Sequence, residues 1–181
     1  MKKLKNSELK RISIEEFKNS SKTPIKVLLD NIRSAHNVGS IFRSCDAFLI
    51  DEIILCGITA KPPNKEIRKT ALGSTDSVKW SYYENIQDAI LKLKKEKYKI
   101  ISVEQADKST GLENFKIQSE KNYAIIFGNE INGVNQKVID MSDDVVEIPQ
   151  YGTKHSFNVS VCVGIVIWDF FTKIKTNWFH L

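Results

Sequence analysis

Residues 25–57 read IKVLLDNIRSAHNVGSIFRSCDAFLIDEIILCG. The first six, Ile25–Asp30, are a short apolar run of the length of a buried strand. Val38, Ile41, Phe42, Cys45 and Phe48 then recur at helical spacing and share one face. From Asp51 to Gly57 the chain is again a short apolar run, a second strand. Strand, helix and strand in succession form a βαβ unit, and such a unit joins parallel strands.

The same alternation continues outward. "NKEIRKTAL" is a short helix after the turn at Pro62-Pro63, and "SVKWSYY" a third strand. "ENIQDAILKLKKEK" is a surface helix, with Ile86, Ile90, Leu91 and Leu93 inward and its lysines a solvated face. "YKIISVE" is a strand, "QADKSTGLENF" a loop, and "NYAIIFG" a strand ending at Gly128. "NQKVIDM" is a brief helix, "DDVVEIP" the last strand, and Phe157–Lys173 the final helix. Residues 1–24 are polar and basic, with one short helical pattern at Ile12–Phe17, and read as an arm. The fold class is α/β: one domain over residues 25–181, built on a mostly parallel sheet with helices on both faces. Ligands of such sheets lie beyond the carboxyl ends of the strands, so the loops after Asp30, Val103, Phe127 and Ile148 carry the site.

The chain has 181 residues, enough for one core, and a formal net charge of +5. That surplus suits an anionic partner such as RNA, and equally an ordinary solvated surface. Cys45, Cys56 and Cys162 are far apart, and with the scattered His36, His155 and His180 they offer no metal-ligand spacing. No metal is expected. The cysteines read as small core residues of a reducing, cytoplasmic protein. "MKKLKNSELKR" has no apolar signal region, and the run from Val159 to Phe171, broken by Asp169, is too short to cross a bilayer. Trp80, Trp168 and Trp178 read as core or interface residues.

Three loops hold residues that a packed core does not need. In "DNIRSAHNVGSIFRS", residues 30–44, Asn37 stands where a side chain caps a helix. Gly39 leaves the backbone of the first turn uncovered. Arg33 and Arg43 suit a phosphate or carboxylate, because a guanidinium makes two parallel hydrogen bonds; a structural salt bridge is the other reading. In "IIFGNEINGVN", residues 125–135, a strand runs into Gly128, Asn129 and Glu130, with Gly133 beyond. It matches no nucleotide-binding fingerprint, and Glu130 also suits a helix start. In "EIPQYGTKHSFNVSV", Ser156 or Asn158 caps the final helix, and two such residues at a helix start also make a donor-rich pocket.

Together these loops resemble the SpoU (TrmH) family of RNA 2′-O-ribose methyltransferases. The resemblance rests on Asn31, Arg33, Asn37, Gly39 and Arg43, on Gly128-Asn129-Glu130 with Gly133, and on the stretch from Ile148-Pro149 to Ser156-Phe157-Asn158-Val159-Ser160. It runs from about Pro24 to Lys173. It implies a C-terminal trefoil knot that binds S-adenosylmethionine, and a homodimer. Ser102, Val103, Glu104, Phe127, Gly128, Asn129, Ile148, Pro149, Ser156 and Phe157 would then contact the cofactor. Phe157 stands where family members usually carry Leu.

The implied reaction moves a methyl group to a ribose 2′-hydroxyl. Arg43 matches the family's catalytic arginine. A guanidinium is too weak a base to take a proton, so Arg43 would fix an RNA phosphate and stabilise the developing alkoxide. Asn37, Glu130, Ser156 and Asn158 would orient it and the ribose, with Ser160 in support. Asn31 and Arg33, and Lys61, Lys65, Arg68 and Lys69 in the loop after the second strand, would contact RNA. The short arm leaves no room for the extra RNA-binding domain common in the family, a form that points to tRNA ahead of rRNA. A catalytically silent RNA-binding protein of the same fold, and a methyltransferase acting on a base nitrogen, are the competing readings.

Overall fold

The computed structural model describes residues 1–118 and 120–178, without the side chains of residues 6 and 176–178. His180, and the side chain of Trp178, lie outside the described residues.

Seven strands form one sheet: β1 (Thr23–Asp30), β2 (Ile50–Cys56), β3 (Trp80–Tyr83), β4 (Lys99–Val103), β5 (Thr110–Gly111), β6 (Tyr123–Phe127) and β7 (Asp144–Glu147). Their order is β3-β2-β1-β6-β4-β7-β5, and every pairing is parallel. Leu28 of β1 pairs with Ile54 of β2 on one side and Ile126 of β6 on the other.

Strand β1 shows why its sequence is a nearly unbroken apolar run. Ile25, Val27 and Leu29 point to one face and meet α2 (Ala35–Ala47), α3 (Lys65–Ala71) and α7 (Val159–Trp178). Leu28 points to the other and joins Ile86, Ile90 and Leu93 of α5 (Ile86–Lys95) and Val138 of α6 (Gln136–Asp140). Each such side chain, fully buried, contributes about 1.5–3 kcal/mol. Lys26 interrupts the run and is nearly buried, but its Nζ lies 2.6 Å from Glu52 Oε2, its neighbour in register on β2.

Several details differ from the sequence reading. Leu91 of α5 is exposed, and Ala89 takes the inward place. Two more one-turn features were not anticipated: a short helix α4 (Ser74–Ser77) ahead of β3, and strand β5 with a 3-10 turn inside the loop after β4. The final helix begins at Val159, two residues after Phe157. The arm is docked in part: helix α1 (Ile14–Asn19) buries Phe17 in the core and is closed by a capping box of Ser13 and Glu16.

The order of the strands creates the site. The chain steps outward from β1 to β3, then returns to the other side of β1, where β6 is inserted beside it. Ligands collect where the direction reverses, outside the carboxyl ends of the strands.

Candidate functional site

The loop after β1 turns sharply into α2. Asn31 has a φ of +57°, a left-handed conformation that Asn tolerates. Its Oδ1 accepts from Ile58 N at 3.1 Å, and its amide donates to Asp30 at 2.8 Å. The side chain thus ties β1 to the end of β2 and takes a structural role within this fold. Ser34, not Asn37, caps α2: its Oγ accepts from Asn37 N at 3.3 Å. Gly39 is buried, since an added Cβ would strike Ile67 and Thr70 of α3; it serves helix packing, and its backbone is not uncovered.

Freed from capping, the Asn37 side chain links the other two loops. Its amide donates to Glu130 Oε1 at 3.2 Å, and its Oδ1 accepts from Asn158 Nδ2 at 3.2 Å. Asn158 in turn starts α7: its Oδ1 accepts from Ser160 N at 2.9 Å and from Ser160 Oγ at 2.6 Å. Glu130 also accepts from the backbone of Arg33 at 3.2 Å and of Ser34 at 3.3 Å. It therefore sits at the positive end of α2. Partial burial opposes its charge, but hydrogen bonds from its own backbone, Arg33, Asn37 and Ser34 together hold the carboxyl below the usual carboxylate range.

The loop after β6 is folded tightly on itself. Asn129 and Gly133 exchange backbone hydrogen bonds of 3.1 and 2.8 Å. An added Cβ on Gly128 would collide with the backbone of Gly133 and Val134, so the protein itself fills that space. The Asn129 amide donates to Asn31 O at 2.8 Å, fastening this loop to the first. Glu104, after β4, accepts from Val134 N at 2.8 Å and from Gln105 N at 2.9 Å.

These loops enclose a cavity of about 370 Å³. Val103, Glu104, Phe127, Gly128, Asn129, Ile148, Ser156 and Phe157, eight of the ten residues that the resemblance assigns to the cofactor, line it. Ser102 and Pro149 do not. Ser102 is fully buried, with its Oγ 2.7 Å from Ser142 Oγ. Glu130 and Val159 border the cavity too; Asn37 stands beside it through Glu130, and Asn158 through Asn37. Other lining residues carried no sequence signal, among them Gln150, His155 and Cys162. Burial, with the charge of Glu104, pushes the Cys162 thiol up to about 12, so it stays protonated. Gln105 Nε2 donates to His155 O at 2.8 Å across the cavity mouth. Thr59 was also missed: its buried Oγ1 accepts from Ile32 N and donates to Leu29 O, both at 3.0 Å, and pins the start of the first loop.

Arg43 is not among the residues brought together. It is exposed and lines a second groove, shared with the arm and α4. The Arg33 side chain is exposed as well. Lys61 stacks over the Tyr82 ring at 3.6 Å from its centroid. Lys69 pairs with Glu66 at 2.8 Å and lines an open groove with Pro63, Asn64, Lys65 and Arg68. His36 Nε2 lies 2.9 Å from the same Glu66. Among the described residues no group of three or more acidic, His or Cys side chains is placed to hold a metal, and no helix is long and apolar enough to cross a membrane.

The profile of the SpoU rRNA Methylase family matches residues 24–168. The chain belongs to the SpoU family. It is 28% identical over 168 residues to a tRNA (guanosine(18)-2′-O)-methyltransferase of Borreliella burgdorferi, covering 93% of this chain and 75% of that one. A second B. burgdorferi protein, an uncharacterized tRNA/rRNA methyltransferase, is 33% identical over 86% of this chain and 67% of its own length. Among solved structures, the A. aeolicus TrmH/SpoU tRNA modifying enzyme superposes with a TM-score of 0.79 at 23% identity, over 91% of this chain and 83% of that one. The AdoMet-bound rRNA methyltransferase of Sinorhizobium meliloti superposes with a TM-score of 0.76 at 24% identity, over 85% of this chain. This chain spans 59% of the S. meliloti chain. At those identities the SpoU structures establish a shared fold.

Proposed function

We propose that this protein is an S-adenosylmethionine-dependent RNA 2′-O-methyltransferase. The observation that carries the reading is the meeting of three loops, from distant parts of the chain, at one cavity with an Asn37–Glu130–Asn158 network at its edge. Family membership and relatives named as tRNA and rRNA 2′-O-methyltransferases support it.

The cavity suits the cofactor. Its walls offer apolar surface from Val103, Phe127, Ile148 and Phe157 for a nucleoside, and backbone from residues 128–133 for hydrogen bonds. The carboxylates of Glu104 and Glu147 lie on the wall and favour a cationic ligand. S-Adenosylmethionine supplies an electrophilic methyl group on a sulfonium. The protein's own part is positioning and charge. Ser156 and the side chains of Asn37 and Asn158 would orient the ribose; Glu130 holds the Asn37 amide, and Asn37 Oδ1 in turn holds the Asn158 amide. Arg43, within its own subunit or across the dimer, would bind the phosphate beside the target and stabilise the alkoxide as the 2′-hydroxyl gives its proton to water and takes the methyl group from the sulfonium.

The reading includes features of the family. The segment leading into α7 passes through a neighbouring loop as a trefoil knot, and the enzyme is a cytoplasmic homodimer with a single domain at residues 25–181 behind the arm, residues 1–24. An exposed apolar stripe on α7 supports the dimer: Val161 is 50% and Trp168 53% exposed, and Trp168 packs on Phe48 at 5.4 Å. Asn31 is better placed to shape the site than to touch RNA, whereas Arg33, Lys65 and Arg68 are free to contact it. The substrate is a structured RNA, tRNA ahead of rRNA. Calorimetric titration with S-adenosylmethionine, together with comparison of RNA modification in cells with and without the protein, tests the reading. Binding of the cofactor and loss of one 2′-O-methyl group support it. Absence of cofactor binding would leave only the silent RNA-binding alternative.

A further inference from the structure

The groove that holds Arg43 is larger than the cofactor cavity, about 740 Å³, and one of its walls is the N-terminal arm. Lys10, Arg11, Ile12, Ser13 and Ile14 form that wall, and Arg43 with Asp46 and Ala47 of α2 forms another. Ala71, Leu72, Gly73 and Ser74 close the third side.

The arm is held firmly enough to be a wall. Phe17 is only 3% exposed. The Ser13–Glu16 capping box fixes the turn that follows Arg11, with bonds of 2.7 and 3.1 Å. Lys22 donates to Phe17 O and lies over the Phe17 ring, 4.4 Å from its centroid. Lys10 takes a left-handed conformation, φ +44°, where the chain bends into the groove.

Charge says what the groove takes. Lys10, Arg11 and Arg43 carry three positive charges onto its walls, and no ion pair or hydrogen bond of their side chains is found among the described residues. The acidic side chain on the wall, Asp46, accepts a hydrogen bond from Ser77. Exposed apolar surface lies between the cations: Ile12 is 52%, Ile14 48% and Leu72 66% exposed. A row of cations along a groove suits a nucleic-acid backbone, and the aliphatic side chains beside them offer an apolar contact to a base or sugar. A volume of this size accommodates a nucleotide-sized ligand.

We infer that Lys10 and Arg11 of the arm form, with Arg43, a phosphate clamp for the RNA strand that carries the target nucleotide. The arm is then a part of the substrate site and not an idle extension. The inference rests on the RNA-directed reading above and adds two residues to it.

The test measures binding, not catalysis. A 12-nucleotide oligouridylate and an unmodified tRNA transcript are titrated against the wild-type protein, Lys10→Ala/Arg11→Ala, and Lys94→Ala/Lys95→Ala, which removes two charges from the exposed end of α5. The expected result is a loss of about tenfold or more for the arm variant at low salt, with a salt slope shallower by roughly 1.4–1.8 units, as two released counterions require. The α5 variant keeps wild-type affinity, and cofactor affinity is the same for all three. Equal RNA affinity and slope for wild type and arm variant overturns the inference, as does an equal loss in the α5 variant. If the wild type binds RNA with the expected arm dependence but transfers no methyl group, the proposed reaction fails and the clamp stands.

Discussion

Helix α2 serves two places built on opposite plans. At its N-terminus Asn37 is held on both sides, by Glu130 and by Asn158, at 3.2 Å each. Less than two turns on, Arg43 stands exposed in the arm groove with no protein partner for its charge among the described residues. The first place is assembled before any ligand arrives. The second keeps an unspent cation for an anion that the chain does not supply. Preorganised dipoles cost nothing to orient when charge develops, whereas a free guanidinium contributes only once a phosphate meets it. In the proposed reaction, orientation of the ribose at the first place and phosphate binding at the second are thus separable, and each can be broken alone.

The largest effect is expected at the free cation. Arg43→Ala should lower methyl transfer by at least about 10²-fold, the scale of a lost charge-stabilising donor, with cofactor affinity unchanged by calorimetry. Wild-type turnover in that variant removes Arg43 from the mechanism.

The preorganised end should respond in stability. Gly128→Ala forces a methyl group into the Gly133 backbone and should cost about 1–3 kcal/mol in urea unfolding, with weaker cofactor binding. Unchanged stability would show that the loop opens freely.

Glu130 gives a pH signature. Its carboxyl titrates lower in the folded chain than in the unfolded one, where the usual value is about 4.3. The charge therefore stabilises the fold fully above the unfolded value, and that contribution is lost as pH falls through the folded value. The stability gap between wild type and Glu130→Gln should be widest above about pH 5 and narrow below it, followed by urea unfolding at each pH. A gap independent of pH contradicts the assignment.

The smallest effect belongs to Phe157, 40% exposed at the cavity wall. Phe157→Leu, which shortens the ring to an aliphatic side chain, should shift cofactor affinity by less than about tenfold, or 1.4 kcal/mol. A larger loss would make the ring a principal contact.

Much of this was legible in the sequence because it depends on local pattern. The run at Ile25–Asp30 is short and mostly apolar, as a buried strand is, with Ile25, Val27 and Leu29 on one face and Leu28 on the other. The three loops were visible as polar residues at strand ends and helix starts. Partners far apart in the chain were not legible. Asn37 has the chemistry of a cap, and only the fold shows that Ser34 caps and Asn37 bridges residues 93 and 121 positions away. Thr59 and the Ser102–Ser142 pair are ordinary polar residues until strand order brings their partners near. Gly39 and Gly128 looked open to a ligand, but α3 and Gly133 occupy their space. Leu91 and Ala89 exchanged places because α5 turns its smaller residue to the sheet.

The central claim is the transfer of a methyl group to a ribose hydroxyl. Its most direct test is incubation of the purified protein with isotopically labelled S-adenosylmethionine and unmodified tRNA transcripts, followed by nuclease digestion and mass spectrometry of the nucleosides. The label is expected on the sugar, in one 2′-O-methylnucleoside, formed at least about 10²-fold more slowly in Arg43→Ala. A label on a base, or none from a protein that binds the cofactor and the RNA, would contradict it.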